Sequence, residues 1–232
     1  MLSLYKSNDK EITMNKYIAM AIRIISLGAF VFLMIIGKPM LWLIIFGASL
    51  ILSIFFGRFY CGYLCPINTI MIPVDWVARK TKIQSDKSPK FLKNGYLSWV
   101  ALIVSIVLMI VFNKVLKISL PILIIWGVIA IPITLFFKPE VFHNLICPFG
   151  ALQRLFGRLS IFSKRVEKDS CIGCGLCERV CPSNAINVVK ETKKAEIDKS
   201  LCHQCTECKD VCPKNAIKYS NTLKNNHKEI SE

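Results

Sequence analysis

Two cysteine runs near the carboxyl end have the spacing of iron–sulfur ligands. The chain reads CIGCGLCERVCP from Cys171 and CHQCTECKDVCP from Cys202, so each copy is C-x2-C-x2-C-x3-C-P. This spacing is typical of bacterial ferredoxins that hold two [4Fe–4S] clusters. Zinc sites use C-x2-C pairs and give no reason for the third cysteine or the C-P ending of each run. The two runs therefore predict two four-iron clusters.

The same spacing predicts which cysteines share a cluster, because the fourth cysteine of each run binds the other cluster in such ferredoxins. One cluster is then held by Cys171, Cys174, Cys177 and Cys212, and the other by Cys202, Cys205, Cys208 and Cys181. We expect the fourth cysteine to begin a helix, and Gly173 and Gly175 to let backbone N–H groups turn toward the cluster. The intervening AINVVKETKKAEIDKS predicts a two-stranded ribbon around Glu191–Lys194, and His203 is expected to be a solvated loop residue.

Three further cysteines lie in a second pair of motifs. FFGRFYCGYLCP contains Cys61 and Cys65, and FFKPEVFHNLICP contains Cys147, with His143 where the first motif has Cys61. Together they form a Cys3His set that would suit zinc, copper(I) or a cluster with one histidine ligand. Two other interpretations stay open: a redox-active dithiol at the membrane surface, and cysteines that are simply small buried apolar residues.

Four apolar runs precede and separate these motifs. They are Tyr17–Ile36, Met40–Phe56, Tyr96–Phe112 and Ile118–Phe137. A membrane-spanning helix needs about 17–25 residues. The one charge among them is Arg23, which we expect to snorkel toward the headgroups. The sequence thus predicts an α-helical membrane protein, a four-helix transmembrane bundle with a small carboxyl-terminal α+β two-cluster ferredoxin domain.

The expected order along the chain is that of two parallel halves followed by the ferredoxin part. The segments are a cytoplasmic tail 1–16, a transmembrane hairpin 17–56, a cytoplasmic loop with the CxxxCP motif 57–95, a second hairpin 96–137, the HxxxCP motif with an amphipathic helix 138–165, the two-cluster domain 166–219 and a polar tail 220–232. Pro66 and Pro148 suit the first turn of helices that either lie in the membrane interface or pack against the bundle. A parallel repeat would bring the two C-P motifs together.

The chain has 30 Lys and Arg against 15 Asp and Glu, a formal charge of +15. The basic residues concentrate in the amino-terminal tail and the 57–95 loop, which predicts a multi-pass protein of the inner or plasma membrane with both termini cytoplasmic. They flank apolar runs and are not interleaved with exposed aromatics, which argues against nucleic-acid binding. No histidine lies in a predicted span, which excludes a bis-histidine haem there.

From Tyr17 to Tyr219 these motifs resemble the NapH-type membrane ferredoxins that accompany periplasmic nitrate reductases. Related proteins are the polyferredoxin half of nitrous-oxide-reductase maturation factors and the copper-handling oxidase-assembly ferredoxins. The resemblance implies electron transfer between the quinone pool, or a soluble cytoplasmic donor, and partner oxidoreductase subunits. A soluble ferredoxin or flavodoxin would suit the basic loops. The alternative is a copper reductase or an assembly factor for a membrane metalloenzyme. The family carries C-x3-C-P twice, and His143 departs from that pattern.

Overall fold

The computed structural model describes residues 2–85, 96–116 and 122–221, with side chains from Lys16 onward. Helices dominate up to residue 157. The longer ones are α1 Leu2–Ile35, α2 Pro39–Phe56, α3 Pro66–Thr81, α4 Tyr96–Val111 and α5 Ile122–Phe136, followed by the short α6 Pro139–Val141 and α7 Pro148–Gly157. The predicted tail 1–16 is helical from Leu2 onward. The predicted 57–95 loop is largely helical as far as Thr81, and its residues 86–95 lie outside the described part.

Three described segments are long and apolar enough to cross a membrane, namely Lys16–Ile35, Pro39–Phe56 and Tyr96–Val115. They match the first three predicted spans closely. The fourth predicted run begins among residues 117–121, which the structure does not describe, and its described part is α5 with 15 residues. A helix of that length is shorter than the minimum of about 17 residues for a spanning helix. The described chain therefore provides three candidate spans and one shorter apolar helix.

The two C-P motifs have the same local structure. Each is a π-helical turn, Tyr60–Leu64 or Phe142–Ile146, and in each the cysteine N–H donates to the carbonyl five residues earlier over 2.8 Å. The proline that follows begins α3 or α7, as predicted, because its missing N–H costs nothing at a helix start. Helix α3 packs against α5, and α7 packs against α2 and α4, so both amphipathic helices pack on the bundle.

One apolar core connects the helices with both motifs. The Phe46 ring of α2 lies 5.2 Å from the Tyr60 ring and 5.1 Å from the Phe149 ring, both edge-on. The Trp42 indole N–H donates to the Tyr60 hydroxyl over 2.9 Å, so the buried polar tips of both rings are satisfied. The motifs are thereby fixed to α2 by packing from both halves of the repeat.

The carboxyl-terminal part is small and mixed. Strand β1 Phe162–Val166 pairs antiparallel with β4 Ile217–Asn221, and β2 Ile186–Val189 pairs antiparallel with β3 Lys194–Ile197. Two one-turn helices, α8 Leu176–Arg179 and α9 Glu207–Asp210, lie between these strands. The ribbon predicted around Glu191–Lys194 is confirmed as β2–β3. The β1–β4 pair reaches beyond the predicted domain limits of 166–219 at both ends, and residues 222–232 of the predicted polar tail lie outside the described part.

Candidate functional site

The first cysteine set surrounds a pocket that is lined by residues of the carboxyl-terminal part. Its members, called the outer set from here on, are Cys171, Cys174, Cys177 and Cys212. Cys174 is exposed, whereas Cys171 and Cys177 are buried. Gly173 and Gly175 have φ of 66° and 72°, the left-handed region in which a side chain would be strained. Four thiols around one volume, rather than around one point, fit a four-iron cube.

The second set is more deeply buried. Its members, called the inner set, are Cys202, Cys205, Cys208 and Cys181. Burial is the main reason that the pKa of Cys202 and that of Cys208 rise to about 12, and the thiols of Cys205 and Cys181 raise both further. The four are therefore close enough to interact electrostatically. Ligand thiols must lose their protons when a metal binds, so iron would displace these protons.

Backbone N–H groups point at the sulfurs of both sets. The Ala185 N–H lies 3.3 Å from the Cys181 sulfur, and the Ala216 N–H lies 3.4 Å from the Cys212 sulfur. These two turns have the same position in each run, and hydrogen bonds to ligand sulfurs are one determinant of cluster potential. The prediction that the fourth cysteine begins a helix is wrong. Each fourth cysteine follows the end of α8 or α9, so it is the third cysteine that lies in the helical turn.

The loop of the inner set lies directly on the first C-P motif. A Cβ built on Gly62 would fall 2.3 Å from the His203 carbonyl oxygen, so only glycine permits this approach. The Tyr63 hydroxyl donates to the Gln204 carbonyl over 3.2 Å. Arg23, whose snorkelling toward the headgroups stays a prediction, donates through Nε to the Gly62 carbonyl over 2.9 Å, and its guanidinium lies 5.8 Å from the Tyr63 ring centre. The inner set is thus held against the helices.

His203 is buried, so the prediction of a solvated loop residue is wrong. Its ring stands nearly perpendicular to that of His143 with the centres 4.9 Å apart, and its Nε2 has no hydrogen-bond partner among the described residues. Burial, with the nearby Arg58 charge as the next cause, lowers the pKa of His143 to about 3 and that of His203 well below its usual range. Both rings are therefore neutral at physiological pH.

The proposed third set is brought together in part. Cys61, Cys65 and Cys147 lie in one buried core, and His143 Nε2 lies 3.1 Å from the Asn68 Oδ1 of the other motif. The two motifs thus meet, as the parallel repeat predicted. Burial raises the pKa of Cys147 to about 12 and also raises that of Cys65, whose neighbours include the other two thiols. Within the described ranges no three His, Cys, Asp or Glu side chains converge on one position for a single metal ion. This holds for the outer and inner sets as well as for the third set, and a four-iron cube differs from a single ion because its ligands surround a volume.

A cleft of about 410 Å³ runs between the helices and the inner set. Arg23 of α1, Asp75 and Trp76 of α3, and Val180, Pro182 and Glu207 of the carboxyl-terminal part all line it. Asp75 pairs with Arg79 over 2.8 Å. No sequence pattern indicates this cleft, because its walls come from segments that are far apart in the chain.

Two sets of four cysteines come from two C-x2-C-x2-C-x3-C-P runs, and they follow a part made of apolar helices. This combination defines a ferredoxin-type electron-transport protein. Residues 39–84 and 118–168 match the model of a 4Fe-4S binding domain, and residues 170–216 match a 4Fe-4S dicluster domain. The first match contains both C-P motifs, and the second contains all eight cysteines of the inner and outer sets. The chain therefore binds iron–sulfur clusters, as the two matched domains do.

Several curated proteins are similar. Uncharacterized protein MJ0749 of Methanocaldococcus jannaschii is 32% identical over 74% of this chain and 69% of its own length. The methylamine utilization ferredoxin-type protein MauN of Paracoccus denitrificans is 27% identical over 58% of this chain and 53% of its own. The putative electron transport protein YccM of Escherichia coli is 22% identical over 59% and 44%. No solved structure matches the chain. The chain belongs to the NapH/MauN-type ferredoxin family, although it spans only about half the length of the MauN and YccM proteins.

Proposed function

We propose that the chain is a membrane-anchored protein that relays electrons between the quinone pool and a partner redox enzyme through two [4Fe–4S] clusters. The outer and inner sets are the ligands, each cluster taking up and releasing one electron when bound. One observation carries the proposal. The inner set is packed against the C-P motifs of the helical part, whereas the outer set surrounds a pocket lined by the carboxyl-terminal part and exposes Cys174. The two carriers therefore lie in series between the membrane surface and the solvent.

The cleft beside the inner set is the proposed site of the quinol. Oxidation of a quinol releases two electrons and two protons. Asp75 and Glu207 are carboxylates that could accept those protons, and Arg23 could bind a quinol oxygen. Trp76 is 63% exposed and supplies an aromatic wall to the cleft, with Lys80 Nζ 5.1 Å from its ring centre. Val180 and Pro182 line the cleft and flank Cys181 of the inner set, so electrons from a quinol in the cleft have a short path to the cluster of the inner set.

The experiment uses the full chain, purified anaerobically, with about eight irons per chain as the loaded state of two four-iron cubes. Bleaching of the visible absorbance by a quinol analogue is compared with bleaching by dithionite. We expect Asp75→Asn and Glu207→Gln to slow the quinol reaction at least tenfold and to leave the dithionite reaction unchanged. Glu196→Gln is the matched control, since Glu196 is an exposed carboxylate of β3 outside the cleft. Quinol rates equal to those of the control would reject the cleft, and colourless protein without iron would reject the whole proposal.

We further propose that the clusters lie on the cytoplasmic side of a multi-pass protein of the inner or plasma membrane. The support is the positive-inside rule applied to the basic tail and the 57–95 loop. Partner oxidoreductase subunits, or a soluble acidic ferredoxin or flavodoxin, would exchange electrons at the exposed Cys174 face of the outer set. A protease added outside intact cells should leave the carboxyl-terminal part uncut. Cleavage in that part would contradict the proposed cytoplasmic position of the clusters.

The convergence of the two C-P motifs favours a second candidate function, metal handling at Cys61, Cys65, Cys147 and His143. In this hypothesis the set binds zinc, copper(I) or a further cluster, or Cys61 and Cys65 act as a redox dithiol. The double variant Cys61→Ser/Cys65→Ser is compared with the wild type for iron, zinc and copper content and for reduction of metal ions. Unchanged metal content together with unchanged electron transfer would reject the third site.

A further inference from the structure

Arg58 is a buried cation without a carboxylate partner among the described residues. Its side chain is fully buried. Its Nη1 donates to Asn144 Oδ1 over 3.2 Å and to the carbonyls of Ser200 and Leu201 over 3.3 and 3.4 Å, and its Nη2 lies 3.9 Å from the Cys61 sulfur. Its Nε has no hydrogen-bond partner in the described part of the chain. A buried charge is costly unless an opposite charge compensates it, so this guanidinium requires an anion nearby.

The groups that Arg58 contacts belong to the chain segments that carry the inner set. Ser200 and Leu201 directly precede Cys202, and Asn144, which accepts from Arg58, donates through Nδ2 to the Ser183 carbonyl over 2.7 Å. Ser183 lies two residues after Cys181. The Arg58–Asn144 pair thus touches both segments that bring cysteines to the inner set.

Two glycines keep the guanidinium in this position. A Cβ on Gly157 would come 2.9 Å from Arg58 Cγ, and a Cβ on Gly150 would come 3.4 Å from Nη2. The side chain therefore fills a fitted channel and has little freedom to turn away from the inner set.

We propose that Arg58 is the counter-charge of the cluster held by the inner set, and that it raises the reduction potential of this cluster above that of the outer one. This inference rests on the proposed function, because it requires a cluster at the inner set. A cube with four thiolates is an anion and becomes more negative on reduction, so a fixed positive charge in a low-dielectric interior favours the reduced state.

The buried positive charge is distributed unequally between the two sets. Lys164 is also buried and donates to the Cys205 carbonyl of the inner set. The corresponding lysine of the outer set is Lys194, which donates to the Cys171 carbonyl but is only half-buried and so partly screened by solvent. The inner cluster is consequently the one reduced first, which suits its position beside the helices.

The test is a redox titration of the iron-loaded full chain, followed by electron paramagnetic resonance. Arg58→Gln removes the charge, and Asn144→Asp neutralises it in place by setting a carboxylate against Nη1. Both variants should lower the midpoint reduction potential of the cluster held by the inner set. The expected shift is at least a tenfold change in the equilibrium constant for reduction, which corresponds to about 59 mV for one electron. Asn144→Ala is the matched control, since it loses the same bond to Ser183 without adding charge. Arg179→Gln removes an equal but exposed charge, and both controls should leave the midpoints in place.

Each outcome decides the inference. Unmoved midpoints in Asn144→Asp would overturn it, as would an equal shift in Asn144→Ala, which would make Arg58 a purely structural contact. If Arg58→Gln does not fold, the comparison of Asn144→Asp with Asn144→Ala decides alone. Failure of the proposed function is distinguishable, because it would appear as missing iron or as the absence of quinol oxidation rather than as unchanged potentials in loaded protein.

Discussion

Gly62→Ala should separate the inner set from the helices while leaving every cysteine in place. Gly62 lies in the first π-helical turn, where an added Cβ would fall 2.3 Å from the His203 carbonyl oxygen and 3.4 Å from its carbonyl carbon. The atom in the way belongs to the backbone, so rotation of a side chain cannot relieve the overlap. Either the motif or the inner loop must move by about an ångström to restore an ordinary contact.

Inserting one methyl group into a packed interior typically costs about 1–3 kcal/mol. For a chain of 150–250 residues, each kcal/mol corresponds to about 2–4 °C in melting temperature. We therefore expect Gly62→Ala to lower the temperature of cluster loss by about 2–12 °C. Electron transfer from the quinol analogue should fall as well, because the gap between the cleft and the inner set widens.

The assay follows the visible absorbance of the iron-loaded protein during heating and, at constant temperature, during reduction by the quinol analogue. Gly47→Ala is the matched control, because a Cβ at this position of α2 meets nothing within 4 Å. Replacing glycine by alanine inside a helix normally stabilises it by about 0.5–1 kcal/mol. If Gly62→Ala has the same temperature of cluster loss and the same rate of reduction as Gly47→Ala, the inferred contact between the first C-P motif and the inner loop is refuted.

Three other predictions test the cysteine sets and the docking surface. Cys181→Ser and Cys202→Ser should abolish the same paramagnetic signal and Cys171→Ser and Cys212→Ser the other, with iron falling from about eight to about four; pairing of Cys181 with Cys171 would contradict the crossed sets. Reduction by an acidic flavodoxin should slow as salt is added, because the chain of charge +15 attracts an acidic partner and salt screens this attraction. A rate that does not depend on salt would contradict this docking. Iron-free protein should lose stability in denaturant as the pH rises from about 9 to about 12. Over that range the thiols of Cys202 and Cys208 ionise when unfolded but stay protonated when folded, since their pKa rises from 9.0 to about 12; stability that increases over this range would contradict the burial of the inner set.

Features that depend on neighbouring residues were predictable from the sequence. The cysteine spacing fixes how many residues each loop has to surround a cluster, and the outer pocket contains all four cysteines of the crossed assignment. Proline after a cysteine predicted the starts of α3 and α7, and the ribbon followed from two short strands around a polar turn. Both kinds of signal are local, because a helix start and a hairpin are decided within a few residues.

Features that depend on docking were missed. Arg58 follows an apolar run in the same way as any helix-flanking arginine, and its burial is decided by carbonyls 142 and 143 residues later. His203 lies between Cys202 and Cys205, and its ring is buried against His143, which belongs to the other part of the chain. The π-helical turns were missed for a different reason, because one extra residue in a helical turn does not visibly change the spacing of apolar residues in the sequence.

One difference between the two C-P motifs, Cys61 in the first against His143 in the second, is explained by what each motif contacts. The repeat of the helical part packs against one ferredoxin part, so its two motifs face different segments. The first motif meets the inner loop through Gly62, which leaves the backbones in contact. The second meets the same loop through the His143 ring, which lies against His203 and is oriented by Asn68. A cysteine at position 143 would leave part of that space empty. The asymmetry of the sequence therefore follows the asymmetry of docking.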